Sequence, residues 1–183
     1  MAKVVVVGDG PAGLSAALFL AKNDQDVLVY AQDNTAMHYA ELHNYLGIRQ
    51  IDGSEFQAIA REQTAGFGAD LREEEVTDVV PDGATFVVRT NGAEERADYV
   101  VLAGGKAAQR LARGLGAATE GGTVAVDTEY RTGVDRVYAV GRVARPNRSQ
   151  AIISAGAGAT AALDILAREA GKDVTDWDTP SDG

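Results

Sequence analysis

The feature that most constrains this 183-residue sequence is a run of four valines, Val4 to Val7, followed by Gly8-Asp9-Gly10-Pro11-Ala12-Gly13. Four consecutive β-branched residues predict a strand that is buried on both faces, as in the parallel sheet of a doubly wound fold. An Ala- and Leu-rich helix is predicted from Leu14 to Ala21. When a strand, a glycine turn and a helix follow in this order, free backbone amides and the helix dipole face a diphosphate. The segment therefore predicts dinucleotide binding.

Each glycine of the turn has a predicted role in holding the pyrophosphate. Gly8 permits the tight turn, Gly10 lets the backbone approach the phosphates, and Gly13 lets the helix pack closely on the strand. Pro11 lacks an N–H, which matters little in a first helical turn, where that group has no intrahelical partner. Such glycines also occur in plain strand-to-helix connections, but the flanking strand and helix favour dinucleotide binding.

A candidate ribose ligand follows the next apolar run. That run, Val27 to Tyr30, ends shortly before Asp33, which lies twenty residues after Gly13. An acidic side chain at this distance accepts hydrogen bonds from an adenosine ribose in dinucleotide-binding folds. Asp33 is therefore the predicted ribose ligand.

Composition limits the partners and the compartment. The chain contains no cysteine, so a disulfide, a thiolate metal site and a CxxC redox pair are excluded. The net charge of −10 disfavours binding to nucleic acid and to anionic membranes. Neither a signal peptide nor an apolar run of the ~20 residues needed to span a membrane is evident. We expect a soluble, cytoplasmic protein, and the few lysines among its 17 basic residues suggest a halophilic source.

The region between residues 34 and 45 holds both histidines, His38 and His43, with Glu41 between them. These three side chains could form a metal site or an acid–base pair. The two histidines are the strong ligands, and no third one lies nearby. Ordinary loop or pocket-lining roles are therefore favoured over a metal site.

The middle of the chain predicts a helix and then an antiparallel meander. Ser54 to Gln57 has the form of a capping box, which predicts a helix from Glu55 to Phe67. Asn91-Gly92 is typical of a two-residue hairpin turn. The predicted strands are Glu75–Val80, Thr85–Thr90 and Glu94–Ala103, the last returning to the central sheet.

The C-terminal third completes a single α/β domain over residues 1–171, with a polar, loosely held tail at 172–183. The small residues Ser154 to Ala159 imitate a phosphate loop but do not follow a strand. They are interpreted as helix positions that allow close approach to a neighbour or ligand, with a second phosphate loop as the alternative. The predicted elements are a helix Lys106–Gly114, strands Thr123–Val126 and Arg136–Gly141, and a long helix Ser149–Ala170.

The order of these landmarks resembles the FAD-binding domain of low-molecular-weight thioredoxin reductases, which belong to the flavoproteins with two dinucleotide-binding domains. The resemblance covers nearly the whole chain. It predicts a Rossmann-like doubly wound parallel sheet with an inserted three-stranded antiparallel meander. The segments that carry it are Gly8–Gly13, His43–Gly47, Val101–Gly105, Tyr138–Gly141, Ser149–Gly156 and Ala161–Asp164.

The resemblance implies FAD as cofactor and assigns a role to each matching position. The implied pyrophosphate ligands are Gly8, Gly10, Pro11, Ala12 and Gly13, with Asp33 on the ribose. The Val76 backbone would contact the adenine edge, and Ala103 and Gly104 the adenylate side. Asn44, Gln150 and Ala151 would lie against the isoalloxazine, and Gly141 and Arg142 beside the ribityl chain and phosphates. A homodimer is also implied.

Three departures from the family limit what the resemblance implies. The family inserts an NADPH-binding domain where this chain has only residues 106–122. The redox CxxC of that domain is absent, so we expect no intrinsic disulfide reductase activity. The Gly-Asp pair that contacts ribitol in the family is here Gly141-Arg142. Arg142 could clamp the pyrophosphate, helped by Arg145 and Arg148, or all three could be surface charges.

Two classes of function follow from the sequence. The first is a flavoprotein oxidoreductase that passes electrons to or from a separate partner, with no catalytic side chain assigned. A separate NAD(P)H-binding protein could complete such an enzyme. The second is a non-catalytic nucleotide-binding regulatory or interaction module. Fold alone does not choose between them.

Overall fold

A five-stranded parallel sheet forms the centre of the computed structural model, which describes residues 1–180. The predicted α/β fold with an inserted meander is confirmed. Its helices are α1 (Pro11–Lys22), α2 (Gly53–Gly66), α3 (Lys106–Gly114) and α4 (Ala151–Ala170). Its strands are β1 (Lys3–Val7), β2 (Asp26–Tyr30), β3 (Glu41–Leu42), β4 (Ile51–Asp52), β5 (Asp70–Arg72), β6 (Val76–Asp82), β7 (Thr85–Thr90), β8 (Glu94–Ala97), β9 (Tyr99–Leu102), β10 (Thr119–Glu120), β11 (Thr123–Val124) and β12 (Val137–Ala139).

The central sheet has the strand order β12-β9-β1-β2-β5, with every neighbouring pair parallel. The valines of β1 alternate between its two faces, which explains why all four are buried. Val4 and Val6 pack with α1 and α4, whereas Val5 and Val7 pack with α3 and the meander. The valine run therefore lies at the middle of a three-layer domain.

The meander β6-β7-β8 departs from prediction at its C-terminal end. The predicted strand Glu94–Ala103 is two strands, because Asp98 leaves the meander and bonds to Lys3 of the parallel sheet through its backbone N–H and its carboxylate. Gly83-Ala84 forms a two-residue turn between the paired residues Asp82 and Thr85. At the other hairpin, Arg89 pairs with Glu94 and the Thr90 amide donates to the Ala93 carbonyl oxygen at 2.9 Å, so Asn91-Gly92 lies at the tip of the hairpin as predicted.

Other elements also differ from the predicted ones. Helix α2 begins at Gly53, because Asp52 and not Ser54 is the N-cap and accepts from the Ser54 and Glu55 amides. The sequence pattern missed β5, a polar edge strand. The predicted strand Thr123–Val126 is limited to β11, which forms a small hairpin with β10.

Helices α1 and α4 cross in close contact, which explains the small residues of α4. A Cβ built on Gly158 would lie 2.0 Å from the Ala12 carbonyl oxygen of α1. The close-approach interpretation of this segment is confirmed, because residues 154–159 lie inside α4. Helix α4 is long and apolar enough to cross a membrane, but it packs in the core as a buried helix of a globular domain does.

The predicted C-terminal tail, 172–183, lies partly outside the described residues, which end at 180. Its described part has no regular secondary structure, yet it is anchored to α1. Lys22 on α1 forms ion pairs with Asp176, at 3.0 Å, and with Asp178, and Val174 packs against the core.

Candidate functional site

A cavity of about 400 Å³ opens at the carboxyl ends of β1, β2 and β9. Open α/β sheets bind their ligands at this edge. The N-terminus of α1 and the turn before it form one wall, and the N-terminus of α3 forms another. The lining residues are Val7–Ala12, Tyr30, Gln32, Asn34–Met37, Glu74–Val76, Ala103–Ala108, Gly141, Arg142, Ser149, Ala151 and Ser154.

At two glycines of the turn the neighbouring backbone leaves no room for a side chain, whereas the third glycine has room for one. Gly8 has a φ of +107°, and a Cβ there would lie 2.9 Å from the Gly104 nitrogen. A Cβ on Gly13 would lie 1.9 Å from the Gly8 oxygen. Gly10 differs because its φ of −69° suits any residue. A Cβ at Gly10 would meet only the Thr35 hydroxyl oxygen, at 3.5 Å, so the fold itself leaves room for a side chain there.

Most of the predicted site residues share this cavity. Gly13 lies behind the turn, and Asp33, Asn44 and Gln150 lie outside the lining. Sequence reasoning missed Gln32, Thr35 and Lys106, whose only signal was their place just after the ends of β2 and β9. The predicted residues that line the cavity are Gly8, Gly10, Pro11, Ala12, Val76, Ala103, Gly104, Gly141, Arg142 and Ala151.

Asn44 and Gln150, which the resemblance places against the isoalloxazine, contact each other. The Asn44 Nδ2 donates to the Gln150 Oε1 at 3.1 Å, and both residues are exposed. Gln150 directly precedes α4, next to Ala151 in the cavity lining. The two amides therefore extend the site beyond the cavity, towards solvent.

Arg142 and Lys106 are the basic residues of the lining. Gly141 has a φ of +70°, and a Cβ there would lie 2.9 Å from the Ala12 Cβ in the first turn of α1. Arg142 is thus held next to the glycine turn, and its guanidinium has no hydrogen bond or ion pair within residues 1–180. Arg145 lies over the Tyr130 ring at 5.8 Å, and neither Arg145 nor Arg148 lines the cavity.

A buried ion pair joins the glycine turn to helix α2. Asp9 is 4% exposed, and its carboxylate pairs with the Arg61 guanidinium of α2. The Gln57 amide also donates to the Asp9 carbonyl oxygen, at 2.7 Å. Burial raises the pKa of the Asp9 carboxyl above its ordinary value, and Arg61 offsets part of that effect. Helix α2 therefore fixes the conformation of the turn through residue 9.

The two histidines do not form a metal site. Within residues 1–180, no group of three or more His, Asp or Glu side chains is placed to hold a metal ion. His43 contacts Glu41 at 3.3 Å. His38 instead bonds through Nε2 to the carbonyl oxygen and the carboxylate of Asp33, both at 3.0 Å.

Two family models together match most of the chain. The family model described as pyridine nucleotide-disulphide oxidoreductase matches residues 43–161, and the model described as FAD binding domain matches residues 3–41. A thioredoxin reductase from Mycolicibacterium smegmatis is 37% identical over 112 residues, which are 59% of this chain and 36% of that protein. A bifunctional thioredoxin reductase/thioredoxin from Mycobacterium leprae is 38% identical over 60% of this chain and 25% of its own length.

A solved thioredoxin reductase from Gloeobacter violaceus has the same fold. The two superpose with a TM-score of 0.85 at 17% identity, over 97% of this chain and 99% of that one. In sequence, this chain spans only about a quarter to a third of the relatives it matches. The expected likeness to thioredoxin reductases is confirmed, and the matched FAD-binding domain confirms FAD as the cofactor.

Proposed function

The chain belongs to the pyridine nucleotide-disulphide oxidoreductase family, and from that premise we propose that it is a flavoprotein that exchanges electrons with a separate protein partner. The cavity beside the glycine turn carries the proposal. Gly10 leaves the cavity open at the N-terminus of α1, although the packing of the chain would accept a side chain at this position. Such an opening suits a pyrophosphate, which needs close approach to the backbone.

The residues present fit FAD along the whole cavity. The amides of the glycine turn and the Arg142 guanidinium would bind the pyrophosphate, and the Val76 backbone would contact the adenine. Asn44 and Gln150 would orient the isoalloxazine. FAD supplies the redox chemistry when bound, while the chain orients it and sets its electrostatic surroundings.

The need for a partner rests on two features of the sequence. The chain has no cysteine, so it holds no dithiol that could receive electrons. Within residues 1–180, only the β1 turn joins a strand to a helix through GxGxxG, because the similar run near Gly156 lies inside α4. We therefore propose that a second protein supplies the electron donor or acceptor site.

The visible spectrum of the purified protein tests this function. We expect a flavin band after incubation with FAD, and bleaching by a chemical reductant. NADPH alone should bleach the flavin far below catalytic rates in stopped-flow mixing. A colourless protein that takes up no FAD would instead support the regulatory or interaction module. Rapid bleaching by NADPH alone would contradict the need for a partner.

We also propose a cytoplasmic homodimer from a high-salt cell. The large apolar side chains Tyr39, Leu46, Ile59 and Phe67 are exposed, and association would cover such a surface. The acidic net charge of −10 suits a salt-rich cytoplasm. Light scattering in molar salt should give twice the chain mass, whereas a monomer at high protein concentration would contradict the dimer.

A further inference from the structure

We propose that Gln32, and not the acidic residue after it, contacts the adenosine ribose. The inference rests on the proposed binding of FAD and names a residue that sets its specificity. Gln32 lines the cavity, whereas Asp33 does not. The residue predicted from spacing therefore lies outside the cavity lining.

The position of Gln32 suits a ribose. Strand β2 ends at Tyr30, and the Ala31 amide still bonds to Arg72 of the neighbouring strand. Further along, Thr35 lies beside Gly10, where the phosphates are expected. Along the chain, Gln32 thus lies between the end of β2 and the residue beside the expected phosphates, as the ribose lies between adenine and phosphate in the ligand.

The Gln32 side chain is also free to bind. It is exposed and makes no hydrogen bond within residues 1–180. A carboxamide both donates and accepts, so it can pair with ribose hydroxyls, which do the same. Asn34 is a second exposed amide in the lining, but it is nearer in sequence to Thr35 and the phosphates.

Asp33 is held away from the cavity by three hydrogen bonds. Its backbone amide donates to the buried Asp9 carboxylate, at 3.2 Å. His38 Nε2 bonds to both the carbonyl oxygen and the carboxylate of Asp33. Because both partners are acceptors, Nε2 must carry the proton, and the other ring nitrogen, Nδ1, lies 3.0 Å from the Ser54 hydroxyl.

The backbone at Asp33 agrees with this assignment. Its φ is +51°, in the left-handed region that non-glycine residues rarely adopt. In this conformation Asp33 makes the contacts with Asp9 and His38. Charge favours the same arrangement, because Glu74 and Glu75 already line the cavity. A neutral amide at the ribose adds no further repulsion against an anionic dinucleotide.

Binding of ADP and 2′-deoxy-ADP to three variants tests the assignment. Gln32→Ala removes the proposed contact, Asn34→Ala removes the neighbouring amide, and Asp33→Asn keeps an oxygen that His38 can reach. The wild type should bind ADP several-fold more tightly than 2′-deoxy-ADP. We expect Gln32→Ala to lose roughly 3- to 10-fold in ADP affinity and to discriminate poorly between the two ligands. The other two variants should discriminate as the wild type does.

Three results would overturn the inference. Loss of discrimination in Asp33→Asn would return the ribose contact to the carboxylate, and loss in Asn34→Ala would move it to the second amide. Unchanged discrimination in Gln32→Ala would remove Gln32 from the contact. Failure of the wild type to bind FAD or ADP would instead refute the proposed function, so the two failures are distinguishable.

Discussion

Asn44 Nδ2 donates a hydrogen bond to Gln150 Oε1 at 3.1 Å, across 106 positions of sequence. This contact joins the loop before α2 to the residue that precedes α4. Both amides lie outside the cavity lining, and Gln150 is next to Ala151, which lines the cavity. If they contact the isoalloxazine as proposed, they should distinguish a complete flavin dinucleotide from its adenylate half.

We expect Asn44→Ala and Gln150→Ala to weaken FAD but not ADP. Each variant removes a polar group proposed to contact the isoalloxazine, a loss of about 0.5 to 1.5 kcal/mol, or roughly 2- to 10-fold in Kd. Titration calorimetry with both ligands measures the difference. Equal weakening of FAD and ADP would show that the pair supports the fold of the site and not the flavin.

We expect Arg142→Ala to weaken FAD by about 1.5 to 3 kcal/mol, or roughly one to two orders of magnitude in affinity. A guanidinium beside the glycine turn makes charge-assisted hydrogen bonds to phosphate. Arg145→Ala is the matched control, because Arg145 lies over Tyr130 and outside the cavity. Binding should be measured at low and high salt, since screening reduces the Arg142 effect.

Arg142→Asp separates the two possible roles of this position. If Arg142 binds phosphate, the aspartate should weaken FAD more than alanine does, because it adds a negative charge near the pyrophosphate. Tighter binding would instead favour the family's ribitol contact. Wild-type affinity in all the Arg142 variants would make Arg142 a surface residue.

The sequence predicted the parts of the fold that repeat a pattern and missed those that depend on single contacts. The four valines of β1 are buried on both faces of the sheet, and the small residues of α4 allow its close contact with α1, so both patterns were visible in the sequence. Strand β5 has little apolar pattern because it is a polar edge strand. The orientation of Asp33 depends on Asp9 and His38, which no local spacing rule includes.

We expect opposite stability effects from two glycines of α4. Gly158→Ala places a methyl group against the Ala12 carbonyl oxygen and should destabilise the fold by about 1 to 3 kcal/mol, since the helices must separate. Gly156→Ala has no atom within 4 Å of the new Cβ and should stabilise the helix by about 0.5 to 1 kcal/mol. Urea unfolding measures both, and a neutral Gly158→Ala would contradict the close crossing.

Glu95 should make stability depend on pH in the acid range. Its carboxylate bonds to Lys3 and Arg72, each at 2.8 Å, and these two cations hold the pKa of Glu95 below its ordinary value. The stabilisation is therefore present above about pH 4.3, the pKa of an unfolded glutamate, and is lost as the pH falls through the lower folded value.

The difference in unfolding free energy between wild type and Glu95→Gln should accordingly shrink as the pH falls from about 6 towards about 3, through and below the unfolded glutamate pKa of about 4.3. Glu62→Gln is a suitable control, because Glu62 is exposed and forms no ion pair within residues 1–180. A constant Glu95→Gln effect over this range would contradict the role of the carboxylate charge.

FAD retention by Gly10→Val tests the central claim most directly. The fold accommodates a side chain at Gly10, because its φ is −69° and a Cβ contacts only Thr35. A bound pyrophosphate would meet that side chain. Gly133→Val is the matched control, since a Cβ there has no neighbour within 4 Å and Gly133 is not part of the cavity.

Each protein is incubated with FAD and desalted, and the bound flavin per chain is read from the visible spectrum, with thermal unfolding as a check on the fold. We predict that wild type and Gly133→Val retain FAD and that Gly10→Val loses it while remaining folded. The same flavin stoichiometry and Kd in folded Gly10→Val would contradict dinucleotide binding at the glycine turn.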